Sequence, residues 1–337
     1  TITKELVKTF KEVCWSSSSR KRIFICCLLW YLTLFWCEYL AFKTAVSNCY
    51  VHDDAMESKE FQDYFSNYDT TQIAIISDPQ LTDPYSYSYA KRGTWILHLI
   101  QFYCDIYMRK SFKFLQWAHT DLDGVIFLGD LFDGAKILSD SEFNDEYNRW
   151  NWVFERHREL VFYNVSGNHD IGYRVPDIQE QLVNRYKKHF GPLEYTSKLN
   201  GFTLVVISAL TLEPRYTPPS LYSSSIRFLS GLSPANLSPS ILLTHVPLWR
   251  PPHSECGTYN RYGPLIDRVG YSYTNMLNQN ISSFLLDKIR PIYVLSGDNH
   301  DHCSYIHQGG VPEHTMGTFS WMQGVPVPSY GLLHLHK

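Results

Sequence analysis

The chain lacks an excess of either charge and has no paired-cysteine metal motif. Its 337 residues include 30 Lys and Arg against 33 Asp and Glu, a formal net charge of −3. This balance gives no hint of the basic surface that a nucleic-acid-binding domain requires, so we expect no nucleic-acid partner. The eight cysteines contain no Cys-x-x-Cys spacing, which excludes the usual structural zinc motifs. No internal repeat is visible either, so the sequence does not predict a repeat protein.

The chain is instead rich in residues that build a folded core. Apolar residues make up 44% of the sequence, and 24 Tyr and 9 Trp are present. This composition is typical of a folded domain and argues against disorder. A length of 337 residues allows one large core or two modest ones.

An almost wholly apolar segment occupies residues 23–42. It is long enough to cross the ~30 Å hydrocarbon core of a bilayer, and we interpret it as a transmembrane helix. The run Arg20-Lys21-Arg22 comes directly before it, so the positive-inside rule places residues 1–22 in the cytoplasm. The chain after the span would then face a lumen or the cell exterior.

Two features of this segment qualify the interpretation. Glu38 is unfavourable in a span, but it lies near the far end, where interfacial water reaches it. A cleaved signal peptide is the alternative, since small residues near Ala45 permit cleavage. With a span, the chain divides further into a linker at 43–71 and a lumenal domain at 72–337.

Four cysteines lie beyond the predicted span, and an oxidising compartment allows them two disulfides. They are Cys49, Cys104, Cys256 and Cys303. We favour the pair Cys256–Cys303, because both residues sit in loops after strands that carry polar motifs. Four free buried thiols are the alternative.

Three sequences match the acceptor pattern for N-glycosylation. Those at Asn236 and Asn280 are usable if the domain is lumenal. The third, at Asn164, runs into a polar motif and is expected to be inaccessible.

Five apolar, strand-like runs each end in Asp, Asn, Gln or His. The runs and their polar ends are 73–77 with Asp78-Pro79-Gln80, 125–128 with Gly129-Asp130, 160–165 with Ser166-Gly167-Asn168-His169-Asp170, 241–244 with His245, and 292–295 with Ser296-Gly297-Asp298-Asn299-His300-Asp301-His302. Open α/β sheets bind ligands at the carboxyl ends of their strands, so we expect these side chains to meet. Oxygen and imidazole ligands are the set that surrounds Mn, Fe or Zn.

The remaining periodicity predicts the elements between these runs. Helices are predicted at 94–118, 140–159, 177–190 and 275–288, a strand without a motif at 202–207, and closing strands at 314–319 and 330–336. Residues 246–273 show no periodicity, which is typical of a functional lid or binding loop. The order of elements predicts a mixed α/β or α+β sandwich of two sheets flanked by helices.

Two metal ions held a few ångströms apart clamp a phosphoryl group and activate water, provided that one carboxylate bridges them. We predict that Asp130 is the bridge. Asp78 and Gln80 would complete the site of one ion, while Asn168 and His245 would bind the other. A pair of ligands two residues apart at the last strand end would serve both ions.

His169 needs another role, because its neighbour Asn168 directs its own side chain to the metal. We predict that His169 is the general acid that protonates the leaving-group oxygen, or a stabiliser of transition-state charge. Asp133 is expected to fix the tautomer of this imidazole and to raise its pKa.

These motifs resemble those of the calcineurin-like metallophosphoesterases. The resemblance covers about residues 72–336 and rests on Gly129-Asp130-x-x-Asp133, Gly167-Asn168-His169-Asp170, His245 and Gly297-Asp298-Asn299-His300. It implies a four-layer αββα fold, a dinuclear metal centre and hydrolysis of phosphoester bonds.

The chain departs from the family pattern at two motifs. Gln80 stands where the family ordinarily has His, and the last motif lacks the usual Gly-His-x-His order. In ungapped register Asp298 and His300 fill the ligand positions, whereas a register two residues later would use His300 and His302. We prefer the first register, since the glycine at the strand end fixes where the ligands begin. Oxygen in place of nitrogen favours Mn²⁺, with Zn²⁺ or Fe as alternatives.

These departures, the N-terminal span and the motif that ends at Cys303 resemble a narrower group. It comprises the membrane-anchored, fungal-type phosphoesterases that remodel glycosylphosphatidylinositol (GPI) anchors. The resemblance implies removal of an ethanolamine phosphate branch from a mannose of the anchor, in the ER or Golgi membrane. It also implies GPI-anchored proteins as partners, cargo receptors among the further candidates, and a second span beyond residue 337, so we expect the sequence to be trimmed at both ends.

Alternative functions are a non-catalytic sorting factor for GPI-anchored cargo, a nuclease and a protein phosphatase. For a glycolipid substrate we expect a cleft that faces the bilayer. Its rim would be formed by the tyrosine-rich loop 85–89 and the insertion 251–273, with Arg250, Arg261 and Arg268 as candidate phosphate contacts. Solvated loop charges are the alternative for each arginine.

Overall fold

A long helix opens the part of the chain that the structure describes. The computed structural model describes residues 17–47, 70–270, 273–325 and 327–336. α1 (Ser17–Phe35) continues through a π-helical turn (Trp36–Leu40) into α2 (Ala41–Ser47), and we call this continuous unit the anchor helix. Its residues Ser19–Val46 have the length and apolar composition of a membrane span. The helix therefore runs past residue 42, into the segment predicted as a linker.

The main domain begins with three strand-helix units and continues with a second set of strands. The first part contains β1 (Thr70–Ile76), α3 (Trp95–Ala118), β2 (Leu122–Phe127), α4 (Asp140–Val153), β3 (Val161–Asn164), α5 (Asn168–Ile171) and α6 (Glu180–Phe190). The second contains β4 (Tyr195–Leu199), β5 (Phe202–Val206), α7 (Pro219–Gly231), α8 (Pro234–Leu237), β6 (Ser240–Leu243), α9 (Gln279–Ile289), β7 (Tyr293–Ser296), β8 (Cys303–Ile306), β9 (Pro312–Thr315) and β10 (Gly331–His336).

The strands form two mixed sheets. The first has the order β10-β1-β2-β3 and the second β4-β5-β6-β7-β9-β8. β1, β2 and β3 are parallel, as are β5, β6, β7 and β9, while β10, β4 and β8 are antiparallel edge strands. All motif-bearing strands are therefore parallel strands, and their carboxyl ends meet at one edge.

Alternation along the strands separates a cluster between the two sheets from a cluster that includes the helices. Ile73 and Ile75 of β1 pack in one cluster with Leu204 and Leu243 of the other sheet. The intervening Ala74 belongs to the cluster that includes the helices. Strands that are buried on both faces have continuous apolar sequences. This burial explains the five apolar runs in the sequence. The predicted four-layer αββα architecture is confirmed.

Several predicted boundaries shift for local reasons. The helix predicted at 140–159 ends at Val153, and Phe154 leaves it to pack in the core. The helix predicted from 275 begins at Gln279, because the Asn278 side chain accepts from Ile281 N at 2.9 Å and caps it. The helix predicted from 177 begins at Glu180.

One strand was predicted wrongly, and several elements, among them β4, β8 and α7, were not predicted. The closing strand expected at 314–319 is β9 at Pro312–Thr315, after which the chain crosses to the first sheet, where Phe319 N donates to Ser77 O at 2.8 Å. α7 was not predicted, although its buried residues Leu221, Ser225 and Leu229 are spaced four residues apart. The described residues of the aperiodic segment 246–273, which are 246–270 and 273, contain neither helix nor strand, as expected.

The predicted disulfide between Cys256 and Cys303 is present, and Cys104 is a free buried thiol. Cys49 lies outside the described residues. Asn236 and Asn280 are exposed, whereas the amide of Asn164 donates to Phe190 O at 3.0 Å inside the fold. This last contact agrees with the expectation that the third glycosylation sequence is inaccessible.

Arg250 is not a phosphate contact at the cleft rim, contrary to expectation. Its side chain is fully buried and forms an ion pair with Glu313 at 3.0 Å. Glu313 also accepts from Ser296 Oγ at 2.6 Å and lies 2.6 Å from His307 Nε2. Arg250 therefore stabilises the packing of β7 and β9 beneath the insertion.

We expect Arg250→Ala to destabilise the domain strongly, because it leaves the Glu313 carboxylate buried without its cation. Loss of one partner of a buried ion pair costs about 3–5 kcal/mol. The melting temperature in detergent should fall by roughly 10 °C. Arg261→Ala, at an exposed position of the same insertion, should change it by less than about 2 °C. Equal shifts for the two variants would contradict a structural role for Arg250.

Candidate metal centre

The predicted ligands occupy tight turns directly after their strands. Asp78, Gln80, Asp130, Asp298 and His300 all have positive φ angles, at 47°, 38°, 51°, 66° and 61°. Non-glycine residues rarely adopt this conformation, and it concentrates at functional sites where the surrounding structure enforces it. Here the turns bring side chains from separate strands to one point at the sheet edge.

Gly167 shows how closely two of these turns approach each other. A Cβ atom on Gly167 would overlap both the side chain and the backbone nitrogen of Asp130. Only glycine permits this approach. The requirement explains why a glycine precedes Asn168 in the third motif.

Asp78, Asp130 and His245 form the centre of the cluster. One ligand atom from each lies within 4.8 Å of the others, and all three residues are buried. The Nδ1 atom of His245 donates to Leu128 O at 2.7 Å. Its Nε2 atom therefore faces the cluster, 3.1 Å from Asn168 Oδ1 and 3.3 Å from Asp130 Oδ1. A backbone carbonyl that fixes the far nitrogen in this way is typical of metal-binding histidines.

Gln80 provides an oxygen that fits a cation. Its Nε2 atom donates to Asp130 Oδ2 at 2.9 Å, which orients the amide. Its Oε1 atom is buried and has no hydrogen-bond partner among the described residues. An unsatisfied buried acceptor is costly, and a bound divalent ion would satisfy it. The residues present thus fit the metals that the family resemblance implies.

The last strand end places Asp298 and His300, rather than His302, at the cluster. The backbone nitrogen of Asp298 lies 3.1 and 3.2 Å from the two Asp78 oxygens, and His300 Nε2 is 3.9 Å from Asp78 Oδ1. His302 instead has Nδ1 3.2 Å from His314 Nε2 and Nε2 2.8 Å from Ser329 Oγ. The geometry favours the ungapped register.

His169 lies beside the cluster with one ring nitrogen held. Nδ1 donates to the carbonyl oxygen of Asp133 and lies 3.4 Å from its carboxylate Oδ1. Nε2 is 3.9 Å from Asp130 Oδ2, and one third of the side chain is exposed. Asp133 was expected to fix the imidazole through its carboxylate, but the closer partner is its backbone carbonyl. The turn that contains Asp133 brings both oxygens to the ring.

Burial and mutual repulsion shape the electrostatics of the cluster. Burial raises the pKa of Asp78 to about 6, against the opposing effect of His245 and His300. Burial acts in the same direction on Asp130, but the His245 and His169 imidazoles outweigh it and lower the pKa of this carboxyl. Burial lowers the pKa of His169, but the Asp130 and Asp133 carboxylates together raise it by more. The net shift of this pKa is therefore upward. Such crowded acidic groups accommodate added positive charge.

Asp170 was not assigned a role from the sequence, yet it supports the central turn. It accepts from the backbone nitrogens of Leu131 at 2.9 Å and Gly167 at 2.8 Å. Burial and the nearby Asp130 raise its pKa to about 7. Its place at the end of the Gly-Asn-His-Asp motif was the available signal. Asp170 holds the second and third motif turns together.

Asp301 ties the insertion to the last motif. Its Oδ2 atom accepts from the backbone nitrogens of Arg261 at 2.7 Å and Tyr262 at 3.0 Å, and from the Asn260 amide at 3.1 Å. The tip of the insertion therefore lies next to His300. Arg261 is exposed there, and Arg268 is exposed further along the insertion.

Asp83 precedes the other predicted rim, the loop 85–89, and holds its first residue. The buried Asp83 carboxylate accepts from Tyr85 N at 2.7 Å, and the Cβ position of Gly134 lies against the same carboxylate. This loop thus flanks the His169 side of the cluster through the residue that follows Asp133. Tyr85 and Tyr89 are exposed on it.

The two registers of the last motif predict different metal contents. We expect wild-type protein to bind two divalent ions per chain and His300→Ala to lose at least one, because an imidazole ligand is removed. His302→Ala, a matched change two residues away, should keep both. Elemental analysis after dialysis against Mn²⁺ measures the content. Loss of metal in His302→Ala with retention in His300→Ala would overturn the assignment.

Comparisons with known proteins agree with this geometry. A family model described as calcineurin-like phosphoesterase matches residues 71–302. Cell division control protein 1 of Saccharomyces cerevisiae is 30% identical over 322 residues, which cover 92% of this chain and 63% of that protein. Metallophosphoesterase 1 of Rattus norvegicus is 28% identical over 249 residues, covering 68% and 62%. The chain thus spans less than two thirds of the length of these two relatives.

Solved structures with a similar arrangement include two phosphatases. A purple acid phosphatase from Lupinus luteus seeds has a TM-score of 0.49 and 12% identity, covering 80% of this chain and 50% of that chain. A dimetal phosphatase from Danio rerio has a TM-score of 0.45 and 14% identity, covering 74% and 87%. The family match spans more than half of the sequence and includes every predicted metal ligand. The chain therefore belongs to the calcineurin-like phosphoesterases.

Proposed function

We propose that this protein is a phosphodiesterase that removes an ethanolamine phosphate side branch from a mannose of GPI anchors during transport from the ER to the Golgi. The observation that carries the proposal is the position of His169, whose Nε2 atom faces a buried carboxylate cluster while Nδ1 is held by Asp133. This arrangement supplies a proton donor beside a metal site, which is what cleavage of a phosphoester bond requires.

The substrate class is supported by sequence features outside the cluster. The motif from Ser296 to Cys303 and the N-terminal apolar helix resemble the GPI-remodelling phosphoesterases. A membrane-anchored enzyme with a lumenal domain would share a compartment with GPI-anchored proteins, the proposed partners. The relatives named metallophosphoesterase 1 support phosphoester hydrolysis.

We propose the division of metal ligands that the sequence motifs predict. Asp130 would bridge two ions, with Asp78 and Gln80 on one and Asn168 and His245 on the other. The last-motif pair Asp298 and His300 would complete both sites. Bound divalent ions would supply Lewis-acid stabilisation of the phosphoryl group and lower the pKa of water. The oxygen-rich donor set favours Mn²⁺.

His169 would act on the leaving group. In the protonated form of His169, Nδ1–H donates to the carbonyl oxygen of Asp133, and Nε2–H faces the carboxylate cluster. The anionic Asp130 and Asp133 favour this protonated form. Proton transfer from Nε2 to the departing sugar oxygen would then avoid release of an alkoxide. Asp133 is a positioning residue in this scheme.

A non-catalytic sorting factor for GPI-anchored cargo is the alternative, because Gln80 replaces the usual histidine. The orphaned Oε1 atom of Gln80 weighs against it, since the amide is oriented as a ligand. A pure binding protein also has little use for an imidazole held beside a bridging carboxylate.

We expect His169→Ala to lower kcat by about 10²–10⁴-fold, the usual contribution of general acid catalysis. The assay is release of ethanolamine phosphate from a GPI glycan by purified protein with Mn²⁺. Metal content should remain at the wild-type value. His157→Ala, an exposed histidine on the loop before β3, should leave kcat unchanged. Equal loss in both variants, or wild-type activity in His169→Ala, would remove His169 from the mechanism.

Substrate binding should depend on Arg261, because Asp301 fixes its backbone next to the last motif. We expect Arg261→Ala to raise KM for the GPI glycan about fivefold with kcat nearly unchanged, as for loss of a charge-assisted hydrogen bond to a phosphate. Arg268→Ala is the matched control on the same insertion and should have no effect. A larger effect at Arg268 would contradict the role of Arg261. If wild-type protein binds two ions but releases no ethanolamine phosphate, the result would support the cargo-sorting function instead.

A further inference from the structure

The anchor helix packs on α3 through large aromatic residues. The ring centroids of Tyr39 and Phe42 lie 5.5 and 5.8 Å from that of Phe114 on α3. Glu38 of the anchor helix forms an ion pair with Lys110 of α3. These contacts attach the apolar helix directly to the main domain.

A cleft of about 590 Å³ lies beside these contacts, between the anchor helix and the domain. Its volume is within the range of small-molecule sites, ~300–1,000 Å³. The anchor helix, α3 and two segments before β10 form its walls. The lining residues are Cys37, Ala41, Phe42, Ala45 and Val46 of the anchor helix, Tyr107 and Ser111 of α3, and Phe319, Val327, Pro328, Ser329 and Tyr330.

The cleft exists because one row of the anchor helix carries small side chains. Cys37, Ala41 and Ala45 follow one another at four-residue spacing, and all three line the space. The larger rings of Tyr39 and Phe42 meanwhile contact α3. The large side chains thus set the separation of the two helices, and the small ones leave part of it unfilled.

The chemistry of the lining excludes a charged ligand. Among the described residues that form it, none carries a charge. Two of its hydroxyl groups already have partners in the protein, since Tyr330 Oη donates to Val46 O at 3.4 Å and Ser329 Oγ lies 2.8 Å from His302 Nε2. Phosphate or sugar groups would lose their hydration here without new partners. A hydrocarbon chain, in contrast, gains from leaving water.

The position of the cleft makes the bilayer the source of that hydrocarbon. Its helical wall, residues 37–46, is the last part of the segment Ser19–Val46, which has the length and apolar composition of a membrane span. Earlier in the same helix, large side chains such as Phe24, Trp30 and Trp36 are exposed. A lipid that packs along this helix therefore reaches the cleft without crossing water.

We propose that this cleft binds an acyl chain of a membrane phospholipid, whose headgroup stays outside. The occupant is a lipid of the surrounding bilayer rather than the substrate, because the lining offers no charged group that would select a glycolipid head. The proposal requires that the anchor helix lies in a membrane. It goes beyond the proposed function and does not depend on the GPI substrate.

Photocrosslinking in vesicles tests the site directly. The full chain is reconstituted in phosphatidylcholine vesicles, and part of the phosphatidylcholine carries a diazirine in the middle of one acyl chain. Mass spectrometry then identifies the labelled residues. The anchor helix reacts wherever it crosses the bilayer, so the informative residues are Ser111 of α3 and Phe319. We expect label on both. Label on the anchor helix alone would overturn the proposal.

A bulky side chain in the cleft supplies the matched comparison. We expect Ala41→Trp to reduce labelling of Phe319 about fivefold, because labelling follows occupancy and the indole fills the space. Thr44→Trp adds the same side chain at an exposed position outside the lining and should leave labelling unchanged. Metal content reports whether each variant is folded, and Ser111→Leu blocks the opposite wall if Ala41→Trp is not. Wild-type labelling in a folded, blocked variant would contradict the site.

A second lipid distinguishes the acyl chain from the headgroup. The same diazirine chain is carried by phosphatidylinositol in a parallel sample. Labelling of Ser111 and Phe319 should agree within about twofold between the two lipids, because the lining contributes no charged group. A preference of about tenfold for phosphatidylinositol would contradict a site for any phospholipid chain.

The lipid site and the proposed substrate fail separately. If Ser111 and Phe319 are labelled but no ethanolamine phosphate is released from a GPI glycan, the lipid site stands and the proposed substrate fails. If the GPI glycan is cleaved but neither residue is labelled, the substrate stands and the lipid site is wrong.

Discussion

Buried carboxylates at the ends of parallel strands impose the constraint on which the rest of the structure depends. Asp78, Asp130 and Asp170 are almost without solvent contact and lie close enough to influence one another's pKa. A buried charge without partners costs several kcal/mol, so each needs donors or cations around it. His245 and the backbone nitrogens of the motif turns supply part of this compensation. The family's divalent ions would supply the remainder.

Much of the cluster was predictable because its chemistry is local in sequence. A strand buried on both faces is an apolar run, and its end is visible wherever a polar residue interrupts it. Parallel strands place such ends together regardless of how the intervening loops fold. Asp78, Asp130 and His245 therefore meet as the five runs predicted. The glycine at the last strand end likewise favoured Asp298 over His302 before any contact was known.

The features that sequence missed depend on partners far away along the chain. Arg250 lies on a loop and looks like a surface charge in the sequence. In the structure its side chain is buried in an ion pair with Glu313. Asp301 looks like one more motif residue, yet it organises the backbone at Arg261. Nothing in the local sequence around either residue encodes these pairs. The serine-rich helix α7 was not predicted for another reason. Its packing depends on few apolar positions.

Glu38 illustrates how a local anomaly becomes intelligible only through the tertiary structure. A carboxylate within an apolar segment is unfavourable by itself. Lys110 of the main domain, however, forms an ion pair with Glu38 where the helix packs on α3. α3 also exposes Trp95 and Phe102 near its amino end. Had Tyr39 and Phe42 packed there, the anchor helix would meet the domain beside the metal cluster. Because they pack near Phe114 and Trp117 instead, the anchor helix meets α3 toward its carboxyl end.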